Sequence, residues 1–184
     1  MAFAKRLQIV IGLAGVLVAI QLINVLTGYG LVQHGIVPRT LSGLQGIGFA
    51  PLLHGSLRHL LSNLLPFMVL SWLVLSEGGG RYARVLLLIA IISGALVWVL
   101  GRPSVHVGAS GVIFGLWAYL LARAWYQRSL LSVLVALVVV VSYGGLVFGF
   151  VPVPGVSIES HIAGAIAGVF VSGLMHAKTT PPPH

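Results

Sequence analysis

Six apolar runs, at about 7–26, 57–75, 82–100, 110–122, 130–150 and 161–175, alternate with segments richer in glycine, proline and basic residues. Helices of about 20 apolar residues cross a hydrocarbon layer of about 30 Å, so the pattern predicts six transmembrane helices with both ends of the chain on one side. The fourth and sixth runs are short. Isolated polar residues punctuate three of the six at matching positions. Asn63 lies 14 residues before Glu77, Ser110 lies 13 before Arg123, and His161 lies 15 before His176. At about 1.5 Å per residue, each polar group sits about 20 Å from one flank of its helix. All three therefore share a level roughly 10 Å beneath the opposite face of a 30 Å core.

Two short helices cannot span unaided, so the chain before each of them, 101–108 and 152–160, is expected to dip to membrane depth. Non-helical backbone is tolerated there only when it is buried in protein or borders a wet cavity. A water pocket beside Ser110 and His161 follows. Gly111 and Gly115 on the fourth helix, and Gly164 and Gly168 on the sixth, form small-xxx-small pairs that let helix backbones approach closely. Within 42–52, Gly43, Gly46, Gly48 and Pro51 argue against a long regular helix and for a short interfacial segment on the side of the bundle.

Composition agrees with a membrane solvent: 58% of residues are hydrophobic and 7% charged, with a mean hydropathy of +1.08. The net charge of +8 comes from ten Lys and Arg against two acids, Glu77 and Glu159. The basic residues stand singly at helix ends, a pattern of membrane topology and not of a nucleic-acid partner. Lys5, Arg6, Arg81, Arg84, Arg123, Arg128 and Lys178 fall on the side of the termini, and Arg39, Arg58 and Arg102 on the other. The termini are therefore expected in the cytoplasm. With no cysteine there are neither disulfides nor thiolate metal sites, and no cofactor or metal is expected. Residues 1–178 read as one six-span membrane domain and 179–184 as a disordered Pro-rich tail.

The order of the polar motifs carries a family resemblance. The segment Gly108-Ala109-Ser110-Gly111 with Gly115, then His161 with Gly164 and Gly168, and the run from His54 through His59 to Asn63, resemble the nucleophile, histidine and second-span motifs of rhomboid intramembrane serine proteases. The match covers nearly the whole chain. It implies an all-α, six-helix rhomboid-like bundle with short fourth and sixth helices, and a Ser110–His161 dyad. His59 and Asn63, one turn apart on one face, would hydrogen-bond the oxyanion with the Ser110 backbone N–H. Gly108, Ala109 and Phe114 would complete the oxyanion and substrate-binding group. Phe114 occupies the position where the family commonly has a tyrosine stacked beneath the histidine.

A serine hydroxyl needs a base to take its proton, and a tetrahedral oxyanion needs donors already in place. That is the chemical reason for these residue types. The resemblance further implies single-pass transmembrane substrates, reached laterally between the second and fifth spans. It also implies residence in a bacterial-type cell (inner) membrane, with the active site opening to the outside. The alternatives are a catalytically inactive, derlin-like binding factor and a six-span transporter. No acid lies within a span and no inverted halves are visible, which argues against the transporter. The family's Trp-Arg pair is missing from the first loop, which offers Pro38-Arg39 instead. His54 and Arg58 are expected at the outer rim or as loop anchors, His34, His106, His176 and His184 at interfaces or in the tail, with a place on the pocket wall as the alternative for His106 just before the serine, and Glu159 as a solvated charge.

Overall fold

A computed structural model describes residues 1–151 and 156–176. Its helices are α1 (Phe3–Leu26), α2 (Gly46–Phe49), α3 (Leu57–Leu75), α4 (Gly79–Leu100), α5 (Ser110–Gln127), α6 (Leu130–Tyr143) and α7 (Ile158–His176). The 3-10 turn Gly144–Phe150 continues α6. Five segments, Phe3–Leu26, Leu57–Leu75, Gly79–Leu100, Leu130–Phe150 and Ile158–His176, are long and apolar enough to cross a membrane. The chain is an all-helical membrane protein.

The bundle is built around α5, whose residues from Ser110 to Leu120 are buried except for Trp117. It packs on α3, α4, α6 and, most extensively, α7. The periphery is apolar instead of polar: on α6 only Ser132 and Val139 are buried, while Leu130 and Val141 are more than three-quarters exposed. Such an outer surface needs lipid as its solvent.

The α5–α7 contact is one of backbone on backbone. A Cβ on Gly164 would collide with the carbonyl of Gly111, and one on Gly168 with the carbonyl of Gly115. Four glycines thus bring together the two helices whose Ser110 and His161 border one cavity.

α1 and α4 begin a few residues earlier than expected, at Phe3 and Gly79, and two further boundaries differ for a visible reason. α5 runs past 122 to Gln127, because Arg123 does not leave the bundle. Its side chain is 5% exposed and its Nη1 lies 2.7 Å from Glu77 Oε1. Glu77 also accepts from Tyr119 Oη at 2.9 Å and from Arg81 at 3.4 Å, tying the end of α3 to α4 and α5. α7 begins at Ile158 and not at 161, because Ser157 Oγ accepts the Ser160 N–H at 3.2 Å and so starts the helix. His161 is its fourth residue. The tail expected at 179–184 lies outside the described residues, as do Lys178 and 152–155.

The loop after α1 is irregular, with α2 flanked by 3-10 turns Ser42–Gln45 and Ala50–Leu52. Ile47 packs on Gly94 of α4. Without a Trp-Arg pair within it, the loop is held by Arg39, which donates to the carbonyls of Val99 and Gly101, and by Trp98, whose Nε1 donates to the Thr40 carbonyl.

Candidate active site

Ser110 owes its place to the turn before it. Ile36 and His106 pair through two backbone hydrogen bonds of 3.0 and 2.9 Å, fixing the loop that leads into α5. Gly108 then takes φ +122°, and a Cβ there would lie 2.7 Å from the His59 ring, so the position needs glycine on both counts. Ser110 follows as the first residue of α5. The first-turn N–H groups of a helix have no intrahelical acceptor, so its backbone N–H is available to a ligand.

On α3, Ser56 caps the helix by accepting the His59 N–H at 3.0 Å. Asn63, one turn deeper, is buried, and its Nδ2 has no hydrogen-bond partner among the described residues. A buried, unmatched donor costs about 1–3 kcal/mol, which an incoming acceptor would recover.

On α7, His161 lies flat on Phe114, ring centroids 4.1 Å apart and 7° from parallel. Its Nδ1 is 2.7 Å from the Gly149 carbonyl. A carbonyl only accepts, so Nδ1 carries the proton and Nε2 keeps its lone pair. The imidazole is thereby oriented without an acid. Ser110 and His161 both line a cavity of about 1020 Å³, together with His59, Asn63, Phe114 and Gly149. No hydrogen bond joins Ser110 to His161.

The other expected residues fall around this centre. Gly108 and Ala109 do not line the cavity, and their N–H groups donate to the Ala50 carbonyl (2.9 Å) and to His54 Nε2 (3.4 Å). His54, in the turn before α3, is fully buried, and its carbonyl accepts from Asn24 Nδ2 at 3.0 Å. It anchors the loop from inside the protein. Burial, and then the nearby His59 imidazole, push its pKa down to about 4. Glu159 is not a freely solvated charge: it sits in the first turn of α7, 3.3 Å from Arg102.

Sequence reasoning missed two things here. The Gly149 carbonyl has no side-chain signature at all. The other is a relay from His106, which is buried and lines the cavity, the alternative its place before the serine allowed: its Nδ1 is 2.7 Å from Ser157 Oγ, which is 2.7 Å from Ser160 Oγ. This relay joins the turn before Ser110 to the turn before His161. Its signal was the spacing of Ser157 and Ser160 at a helix start. His176, expected at an interface or in the tail, is likewise buried, with its Nδ1 2.7 Å from the Ser172 carbonyl.

Comparison with known proteins bears on this arrangement. A family model described as Rhomboid domain matches residues 42–178. An uncharacterized protein of Mycobacterium tuberculosis (strain ATCC 25618 / H37Rv) is 38% identical over 168 residues, covering 86% of this chain and 70% of its own. An uncharacterized protein of Mycobacterium leprae (strain TN) is 35% identical over 168 residues, covering 86% and 66%. Rhomboid-like protein 11, chloroplastic, of Arabidopsis thaliana is 31% identical over 137 residues, covering 66% and 49%. With a helical membrane bundle and a family match over most of its length, the chain belongs to the rhomboid family.

Proposed function

We propose that this protein is an intramembrane serine endopeptidase that cleaves transmembrane segments of single-pass membrane proteins. The observation that carries the reading is the state of His161: Nδ1 is committed to the Gly149 carbonyl, the ring is stacked on Phe114, and Nε2 is left as the free base in the cavity that Ser110 also lines.

In the proposed reaction Ser110 Oγ attacks the scissile carbonyl carbon and its proton passes to His161 Nε2. The resulting oxyanion accepts hydrogen bonds from Asn63 Nδ2, from the Ser110 backbone N–H and from His59. The C–N bond then breaks as His161 returns the proton to the leaving amine, and water repeats the sequence to release the acyl group. General-base catalysis of this kind contributes about 10²–10⁴ in rate, and each oxyanion donor about 10²–10³. In the helical substrate the carbonyls are tied up in hydrogen bonds, so the segment must unwind before attack. The cavity walls that would admit it laterally are α3, through Ser62 and Pro66, and the turn after α6, through Gly145 and Leu146.

The excess of basic residues at the termini supports cytoplasmic ends, which would open the cavity toward the outside of a bacterial-type cell membrane. A second reading, a rhomboid-like binding factor without activity, is favoured by the lack of a Ser110–His161 hydrogen bond. Cleavage of a reconstituted transmembrane test substrate separates the two. The protease reading expects cleavage by the parent and none by Ser110→Ala or His161→Ala. Equal cleavage by parent and Ser110→Ala would remove the serine from the mechanism.

A further inference from the structure

A second cavity, of about 910 Å³, lies behind α5, between α1, α3 and α4. α1 lays Lys5, Ile9, Leu13 and Leu17 along it at near-helical spacing. From Lys5 to Leu17 is 12 residues (17 − 5), or about 18 Å of helix. That is close to the depth of one leaflet, about half of a 30 Å core. Its lining is almost wholly apolar except for Lys5 at one end, and its other end is closed by Pro51, Leu52, Ala109 and Val112.

The groove is long and apolar, with a volume of about 910 Å³ that leaves room for an extended acyl chain lying along α1. Charge decides which lipid. Both acids of the chain are engaged elsewhere, Glu77 with Arg123 and Arg81, Glu159 with Arg102. Among the described residues, therefore, no carboxylate neutralises Lys5. Nor does one neutralise Arg84, which is exposed one turn before the groove-lining Leu87 and reaches only the Gly80 carbonyl, at 3.3 Å. Hydrocarbon has no preference between an apolar groove and other hydrocarbon, so selectivity must come from these two cations.

We propose that this groove binds one anionic phospholipid, with an acyl chain along α1 and α4 and the phosphate at Lys5 and Arg84. The methyl end of that chain meets Ala109 and Val112, the residues flanking the start of α5. Bound lipid thus supports the Ser110 turn from behind. The groove does not depend on the proteolytic reading, because it is distinct from the Ser110–His161 cavity.

Native mass spectrometry of the full chain in detergent, with added dioleoyl phosphatidylglycerol or dioleoyl phosphatidylcholine, tests this. The expected result is one retained phosphatidylglycerol, favoured over phosphatidylcholine by at least about fivefold for each basic residue. Lys5→Glu with Arg84→Glu, both at exposed positions, should abolish that preference. Ala83→Trp, which fills the groove from an exposed site, should abolish retention of either lipid, while Ile91→Trp, outside the groove on the same helix, should not. Equal retention of both lipids by the parent, or a preference that survives charge reversal, overturns the proposal. So does a two-chain species that Ala83→Trp disperses, since a second copy would then occupy the groove.

Discussion

Replacing one hydrogen by a methyl group at Gly164 and at Gly15 should move stability in opposite directions. At Gly164 the new Cβ runs into the Gly111 carbonyl on α5. A backbone atom held in a helix cannot rotate away, so α7 must withdraw from α5 along its length. Overpacking of this kind costs about 1–3 kcal/mol, and a rigid backbone contact belongs at the upper end. Alanine regains up to about 1 kcal/mol of helix propensity over glycine, leaving a net loss of about 2 kcal/mol. At Gly15 of α1 a Cβ meets nothing within 4 Å. The propensity gain is then unopposed, and stability should rise by up to about 1 kcal/mol. The two variants should therefore differ by about 3 kcal/mol, as read by equilibrium unfolding in mixed micelles titrated with sodium dodecyl sulfate. Gly168→Ala, which meets the Gly115 carbonyl, should follow Gly164→Ala. If Gly164→Ala is as stable as Gly15→Ala, the backbone contact between α5 and α7 is not what holds these helices together.

Other substitutions probe separate links. Glu77→Gln should cost about 3–5 kcal/mol because it strands the nearly buried Arg123, whereas Arg81→Ala, whose partner is the same carboxylate but whose side chain is 30% exposed, should cost less than about 1 kcal/mol; chemical unfolding compares them. Phe114→Leu removes the ring beneath His161, a contact of about 0.5–1.5 kcal/mol, and should lower the rate of test-substrate cleavage by up to about tenfold with little change in KM. His54, with a folded pKa pushed down to about 4 from 6.5, binds protons more readily unfolded than folded. Its contribution to stability is complete above about pH 6.5 and is lost as pH falls toward 4, and His54→Asn should flatten that part of the stability–pH curve.

Five of the six expected spans were legible because lipid-facing helices write their requirement into the sequence as unbroken apolar length, whereas the fourth, α5, is buried in the bundle and is not among the helices long and apolar enough to cross. The close approach of α5 and α7 was legible in Gly111, Gly115, Gly164 and Gly168, since only glycine lets two backbones touch. What escaped depends on partners remote in sequence. Arg123 reads as a residue marking the end of a helix at the membrane surface, and only the carboxylate of Glu77, 46 positions away, lets it stay inside and extends α5 by another turn. His106 reads as either interfacial or pocket-lining, and Ser157, arriving from the other side of the site, gives it a partner there. The orienting group for His161 was invisible for a different reason: it is the backbone carbonyl of Gly149, and every residue has one.

The most direct measurement is covalent labelling of the detergent-solubilised protein with a fluorophosphonate, with the adduct located by peptide mass spectrometry. Ser110 activated by His161 predicts a single adduct on Ser110, lost in Ser110→Ala and in His161→Ala, and retained in Ser157→Ala. Labelling of Ser110 that persists unchanged in His161→Ala, or an adduct on another serine, would contradict the pairing.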